Sequence, residues 1–387
     1  MSKLLKLLLS ITLSFALLFT FVGCDDGDGD GGSVTTGEFK FELVESEKDG
    51  EADYYKITGL SVSSEDALKM AEGNFESVKD KRDIKIPATY KNLEVKEIGS
   101  MAFADQLIIK SVDFEGSKIE TIGEGAFSGC ASLEEIKNLP FIGESQTAVG
   151  AKRVLGHLFG SAATGSDFVS VSGKTNIEDE EASLTFSIPA KLKKISTTAN
   201  KITECAFYGI TTLETVEFSS ATEVGANAFS GCTGIISVNL SSVNMIYDGA
   251  FEGCLALQEV KFGETLTYVG DKAFASCSRL GYNFVSDKEE DLTVTLPNSV
   301  TYLGEGAFSG CSTLEYIVLG SNIKDIKSGS FSNCIALKKV KILSTEEVTF
   351  RANAFSGCDK EKVVINKHDG TPFDLASEVF GKPDTTI

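Results

Sequence analysis

Cysteines recur in this sequence at one fixed place, three positions after a phenylalanine. A thiol at such a place offers three kinds of chemistry, which are disulfide formation, metal binding and nucleophilic attack. Seven of the nine cysteines share the position, which predicts one stacked column whose side chains run parallel into a core. We therefore expect small buried side chains with free thiols, and a column of disulfides is the alternative. The seven are Cys130, Cys232, Cys254, Cys277, Cys311, Cys334 and Cys358.

The other candidate side chains lack partners at the spacing that a catalytic or metal site requires. The two histidines, His157 and His368, are far apart, and no two cysteines have the spacing of a zinc knuckle. The sequence contains neither a Gly-x-Ser-x-Gly elbow nor a phosphate-binding glycine loop. Cys205 lies two residues before Phe207, outside the repeated position, and is either buried or exposed. The sequence thus predicts no catalytic residue, no metal site and no cofactor, so the protein is not expected to be an enzyme.

The elements that hold these cysteines form a repeat, because the string Ala-Phe-x-x-Cys returns at a nearly constant interval. From Phe207 onward, successive phenylalanines are separated by 22, 22, 23, 34, 23 and 24 residues. Apolar residues recur eight and five before the phenylalanine and six, nine and eleven after it. The apolar positions nine and eleven after the phenylalanine alternate with polar ones, as in a β-strand. The phenylalanine and the cysteine three residues later would share one face of a helical turn. We predict an α/β repeat solenoid in which each coil of about 23 residues contributes one short parallel strand and one helical turn.

The order of residues within the coil resembles a known family. Residues 122–136 read Ile-Gly-Glu-Gly-Ala-Phe-Ser-Gly-Cys-Ala-Ser-Leu-Glu-Glu-Ile, which is similar to the BspA-like leucine-rich repeat of bacterial surface proteins. The resemblance covers roughly residues 84–365, including an irregular stretch from Gly156 to Leu192 that looks like an insertion in other members. It implies a leucine-rich-repeat fold and extracellular adhesion or ligand binding, not catalysis.

The N-terminus has the features of an export signal. Lys3 and Lys6 precede an apolar run from Leu7 to Val22, which is too short for a typical membrane span and is followed by acids. Residues 21–24 resemble a bacterial lipobox, which implies cleavage after residue 23 and a lipid on Cys24. An ordinary signal peptide with a chance cysteine is the alternative. Residues 24–37 read as an acidic Gly/Asp tether, with a calcium loop as the alternative for its aspartates.

Further segments complete the predicted organisation. Residues 38–82 form an N-terminal β-hairpin cap, in which Ser64 to Val78 is either a short helix or a solvated loop. The repeats span 83–365, with insertions near 140–185 and 281–291. Residues 366–387 form a degenerate last coil, because Phe380 lies 25 residues after Phe355.

The net charge of the chain limits the kinds of molecule that it can bind. The formal net charge is −20, and removing residues 1–23 takes away two lysines and no acid, which leaves −22. Such a chain would be repelled by nucleic acid and by anionic membrane surfaces, so membrane attachment should depend on the N-terminal lipid.

The outward positions seven, eight and ten after the phenylalanine are the candidate binding surface. We call the outward residues of one coil a rung. The early rungs are acidic, and the last rung carries Lys338, Lys339 and Lys341 beside Tyr316. We predict a docking patch for an acidic protein or glycan there, such as one of a host extracellular matrix, with a solvated strand face as the alternative. The protein is then an outer-membrane surface adhesin. The second hypothesis is a scaffold facing the periplasm, which Asp25 favours because it is an inner-membrane retention signal in some bacteria.

Overall fold

The protein is described by a computed structural model over residues 39–46, 51–60, 83–107, 109–173, 184–283 and 288–381. Within these ranges it is a parallel β solenoid whose sheets are built from successive coils. The predicted signal peptide, Cys24, the acidic tether and the segment from Ser64 to Val78 lie outside the described residues. In the part of the chain that the structure describes, no helix is long and apolar enough to cross a bilayer.

The strands are short and are numbered in chain order. They are β1 (Phe39–Val44), β2 (Tyr54–Leu60), β3 (Asp83–Lys85), β4 (Thr89–Tyr90), β5 (Leu93–Ile98), β6 (Ser111–Asp113), β7 (Thr121–Ile122), β8 (Glu135–Leu139), β9 (Phe168–Gly173), β10 (Leu184–Pro189), β11 (Lys194–Thr197), β12 (Lys201–Ile202), β13 (Thr215–Phe218), β14 (Glu223–Val224), β15 (Ser237–Leu240), β16 (Met245–Ile246), β17 (Glu259–Phe262), β18 (Tyr268–Val269), β19 (Thr293–Thr295), β20 (Tyr302–Leu303), β21 (Tyr316–Leu319), β22 (Asp325–Ile326), β23 (Lys339–Ile342), β24 (Thr349–Phe350) and β25 (Val364–Asn366). The helical segments of the described ranges are the α-helix Glu289–Leu292 and the 3-10 helices Gly150–Arg153, Leu155–Leu158 and Ser377–Phe380.

The longer strands of the coils form one side of the solenoid, which we call the front face. There β3, β6, β8, β11, β13, β15 and β17 pair in parallel, and β19, β21, β23 and β25 form a second parallel sheet. Two-residue strands form a narrower back side, with β12, β14, β16, β18 and β20 in one sheet and β22 and β24 in another. In β15, Val238 and Leu240 are buried while Ser237 and Asn239 are exposed, as the two-residue period of a strand requires.

A column of phenylalanines fills the space between the two sides. Phe251 is fully buried, and its ring centroid lies 5.1 Å from that of Phe229 and 5.2 Å from that of Phe274. The interplanar angles of these two pairs are 6° and 2°, so the rings are nearly parallel. This spacing is close to the separation of neighbouring strands in a sheet, about 4.8 Å, because each coil contributes one ring. The same stacking continues through Phe308, Phe331 and Phe355.

The helical turn that we predicted around each phenylalanine is not confirmed, because the structure shows a run of turns there. The Ser230 and Cys232 N–H groups donate to carbonyls three residues earlier, at 3.1 and 3.0 Å. The intervening Phe229 and Gly231 N–H groups donate instead to carbonyls of the next coil, at 2.7 and 2.8 Å. Every second amide therefore links neighbouring coils. In an α-helix, every one of these amides would donate to a carbonyl of its own segment. A helix here would therefore remove the hydrogen bonds that join neighbouring coils.

Both ends of the column are covered. At the N-terminal end, β1 and β2 pair antiparallel, and the Phe39 ring lies 6.2 Å from the Phe103 ring. At the C-terminal end, the Phe355 N–H donates to the Val379 carbonyl at 2.9 Å, and the Phe380 ring lies 5.8 Å from the Phe355 ring. Val379 and Phe380 thus stand where an ordinary coil places its alanine and phenylalanine.

The two long intervals between phenylalanines contain extra structure. In the first, β9 and β10 form an antiparallel hairpin. The 3-10 helix Leu155–Leu158 lies between the turn segments that contain Phe127 and Phe207. There the Phe127 N–H donates to the Leu158 carbonyl and the Leu155 N–H to the Ala206 carbonyl, each at 2.8 Å. The second interval, the 34 residues from Phe274 to Phe308, separates the two front sheets.

Candidate functional site

The outward side chains of the front face reach solvent along most of the solenoid. Ile236, Ser237 and Asn239 are exposed on the rung of β15, and the adjacent Glu259 and Lys261 are exposed on β17. Because the strands pair in register, Ser237 lies beside Glu259 and Asn239 beside Lys261. The front face is therefore a ladder of polar side chains on a rigid scaffold.

Ser111 is an exception to the predicted ladder. It is only 5% exposed, and its hydroxyl donates to the Asp83 carboxylate at 2.7 Å. The expectation that Ser111 points to solvent was wrong, because the aspartate of the preceding strand covers it.

Ion pairs between neighbouring rungs occupy many of the charges on the early front face. Lys194 of β11 reaches Glu135 at 3.2 Å and Glu217 at 3.7 Å, and so links three strands. Lys193 pairs with Glu214 at 3.1 Å. Each exposed pair contributes at most about 1 kcal/mol. The early rungs are consequently less acidic as a surface than their sequence indicates.

The four predicted patch residues do come together. Strands β21 and β23 pair with Tyr316 opposite Lys339, and Val318 lies opposite Lys341. The Lys338 ammonium lies 5.7 Å from the centroid of the Tyr316 ring. The four side chains therefore lie on one surface, as the sequence predicted.

The charge of this patch is largely offset within the chain. Lys338 Nζ lies 2.5 Å from a Glu315 carboxylate oxygen, and Lys339 Nζ lies 2.7 Å from one of Glu289. The hydrogen bond to Glu315 raises the pKa of Lys338 above its ordinary value. In the part of the chain that the structure describes, Lys341 has no carboxylate within ion-pair distance. Among the described residues, it is therefore the lysine of the patch that has no paired carboxylate.

Six of the seven column cysteines are closed to solvent. Each thiol donates to the carbonyl of the phenylalanine in the preceding coil, as Cys254 does to Phe229 at 3.2 Å. Burial raises the pKa of Cys254 to about 12, and it raises the pKa of Cys232 and Cys277 well above 9.0. Six of the seven cysteines are thus protonated, hydrogen-bonded core residues, and the seventh, Cys358, makes the same hydrogen bond but is only half-buried. Cys205, whose exposure the sequence left open, is also buried.

The two histidines are not brought together. His157 is only 4% exposed, and burial lowers its pKa below the usual value. His368 is exposed in the C-terminal segment. Within the described ranges, no group of three or more His, Cys, Asp or Glu side chains is arranged to hold a metal ion.

Sequence reasoning missed an aromatic row on the back side. Tyr268 and Tyr302 are paired in register on β18 and β20, and their rings stack at 4.6 Å. The Lys327 ammonium lies 4.2 Å from the centroid of the Tyr302 ring. Burial raises the pKa of Tyr268 to about 12, and Asp248 adds to the shift. The available signal was that both tyrosines stand six residues before a phenylalanine of the column.

Comparison with known proteins identifies the repeat. The BspA type leucine rich repeat region matches residues 54–146, 183–292 and 282–371, in 6 copies. The chain belongs to the BspA type leucine-rich repeat family. The family resemblance of residues 122–136 is thereby confirmed, and BspA type coils account for the stacked strands and the phenylalanine column.

Several solved structures are similar to this BspA type chain. A leucine-rich repeat protein from Bacteroides ovatus is 21% identical with a TM-score of 0.38, covering 87% of this chain and 79% of its own. A leucine rich cell surface protein from Faecalibacterium prausnitzii is 20% identical with a TM-score of 0.31, covering 81% and 95%. The T. pallidum leucine rich repeat protein is 18% identical with a TM-score of 0.30, covering 79% and 90%. No curated protein gave a significant match.

Proposed function

We propose that this BspA type protein is a non-enzymatic binding protein displayed on the surface of a bacterial cell, where its front face contacts protein or glycan ligands. The observation that carries the proposal is the ladder of outward side chains on the two front sheets. A parallel sheet whose inner face is sealed by stacked phenylalanines holds such side chains at fixed spacing, which favours recognition over turnover.

Attachment to the outer membrane through a lipid on Cys24 is part of the same proposal. The charged start, the apolar run and the residues around Cys24 support it. A lipid is needed because the mature net charge of −22, which follows from the composition, opposes adsorption to an anionic bilayer.

Protease shaving of intact cells tests the display. We expect added protease to remove the repeats while a periplasmic marker stays intact, and the variant Cys24→Ala to lose the membrane-associated fraction. The same variant should fail to incorporate a radiolabelled fatty acid. Protection of the repeats until the outer membrane is permeabilised would instead support a periplasmic scaffold.

The patch of Tyr316, Lys338, Lys339 and Lys341 is proposed as the part of the front face that takes an acidic ligand. Lys341 has no ion-pair partner among the described residues, and Lys338 and Lys339 could exchange their glutamates for ligand carboxylates or sulfates. Exposed pairs are weak enough, at about 0–1 kcal/mol, for such an exchange.

Heparin is a suitable acidic probe for the patch. Replacing Lys338, Lys339 and Lys341 by glutamate is expected to weaken heparin binding about tenfold or more, because attraction becomes repulsion. The matched control replaces the exposed Lys272, Lys324 and Lys360, which changes the net charge equally outside the patch. Equal loss in both variants, measured by calorimetry at low salt, would show that only the overall charge matters. Absence of heparin binding by the unmodified chain would exclude sulfated glycans.

A further inference from the structure

Within the described ranges, the front face is interrupted between β17 and β19. Strand β17 pairs with β15, and β19 pairs with β21, but the described residues form no ladder between β17 and β19. The chain leaves the coil at Gly281, whose N–H donates to the Gln258 carbonyl at 2.9 Å, and re-enters through Leu292. The extra residues of this coil thus open the sheet.

A crevice of about 310 Å³ lies at this interruption. This volume is at the lower end of the range of about 300–1,000 Å³ that small-molecule sites occupy. One wall is formed by Ile236 and Ser237 of the β15 segment together with Gln258 and Glu259. The opposite wall is formed by residues 281–283 and 292–294. Because both walls belong to the solenoid, the crevice is part of the scaffold.

The walls combine apolar surface with hydrogen-bonding groups. Tyr282 and Ile236 are 39% and 46% exposed, which is unusual for large apolar side chains in this chain. Gln258, Ser237 and Thr293 add amide and hydroxyl groups that both donate and accept. A ligand that fits must offer an apolar face to the aromatic ring and several hydroxyl or amide groups to the surrounding side chains.

The charge of the crevice further restricts which ligands can bind there. Glu259 is the only charged side chain among the described residues that line it. Its side chain is exposed and has no ion-pair partner within the described residues. A carboxylate accepts hydrogen bonds from two neighbouring hydroxyl groups but repels sulfates, uronates and sialic acids. The crevice therefore favours a neutral ligand.

We propose that this crevice binds a neutral oligosaccharide, with a sugar ring packed against Tyr282 and its hydroxyl groups donating to Glu259. The proposal rests on the proposed binding function and names a ligand class for a second part of the front face. It differs from the lysine patch in the sign of its charge. The patch is suited to acidic ligands and the crevice to neutral ones.

A glycan microarray holding neutral, sialylated and sulfated oligosaccharides tests the assignment with the purified full-length chain. We expect binding to neutral glycans, and a loss of affinity of about tenfold or more for Tyr282→Ala, measured by calorimetry with the neutral glycan that binds best. Glu259→Gln should also weaken binding, because an amide replaces an acceptor of two hydroxyl groups. The matched control is Tyr247→Ala, which removes a partly exposed tyrosine next to β16, outside both the crevice and the lysine patch, and should leave neutral-glycan affinity unchanged.

Three results would overturn the proposal. They are the absence of any neutral glycan among the ligands of the folded chain, unchanged affinity in Tyr282→Ala, and equal loss in Tyr247→Ala. Circular dichroism of each variant shows that the fold is retained. Failure here leaves the surface display and the heparin experiment untouched, since those depend on Cys24 and on the lysine patch.

Discussion

Replacing Phe251 by alanine is expected to lower the free energy of unfolding by about 3–5 kcal/mol, as for other fully buried phenylalanines. The ring is stacked between Phe229 and Phe274 at 5.1 and 5.2 Å, so its removal leaves a cavity with aromatic walls on both sides. In a solenoid the loss also weakens the contact between the two neighbouring coils, so unfolding should begin there.

Urea denaturation followed by circular dichroism measures this change. Leu255→Ala is the matched control, because Leu255 lies in the same coil, four residues later, and is 47% exposed. It should alter stability by no more than about 0.5 kcal/mol. Similar losses for the two variants would mean that the phenylalanine column is not the principal core of the solenoid. A broadened transition for Phe251→Ala alone would indicate that the two halves unfold separately.

The phenylalanine column and the front strands were predictable because they depend on short-range periodicity. An apolar residue nine and eleven positions after Phe251 falls on Val260 and Phe262, and β17 indeed covers both. The turn conformation was not predictable in the same way. Phe and Cys three apart fit one face of a helix, but they fit equally well the turns whose alternate amides bond the next coil. Only the stacking of coils decides between the two.

The charge of the candidate site could not be read from the strands alone. The lysines of β23 are adjacent in sequence, whereas the glutamate that pairs with Lys339 is Glu289, 50 residues earlier in the inserted segment. The crevice has the same origin. The 34-residue interval predicted inserted residues here but no crevice, because the residues that line it come from separate coils. Both features depend on where an insertion returns to the sheet, which no local pattern specifies.

Mildly alkaline conditions are expected to unfold the solenoid, because its cysteines are protonated only while they are buried. Burial raises the pKa of Cys130, Cys254 and Cys311 to about 12, and that of Cys358 to about 11. In the unfolded chain the thiols ionise near 9.0. Between these values the unfolded state releases protons that the folded state retains. Stability is therefore complete below about pH 9 and falls as pH rises toward the folded-state values.

The size of the effect follows from the number of thiols. At one pH unit above its unfolded pKa, one fully protected thiol has lost about 1.4 kcal/mol of stability relative to neutral pH. Seven column cysteines would together lose on the order of 10 kcal/mol at pH 10, which is comparable with the whole stability of a typical domain, about 5–15 kcal/mol. A single buried thiol would leave the fold intact at that pH, so repetition is what turns a modest local effect into a cooperative transition.

Urea titrations at several pH values between about 8 and 10.5, with reductant present, measure the slope of stability against pH. Replacing Cys232, Cys254 and Cys277 by alanine removes three titrating groups and should reduce the slope by roughly 4 kcal/mol per pH unit. Other coils show that the position accepts other residues, since Gln106 and Ile210 stand there. Tyrosines and lysines also titrate in this range but are identical in both proteins, so the difference between the slopes isolates the thiols. An unchanged slope in the triple variant would mean that the thiols already ionise within the folded core, and the column would then be hydrated.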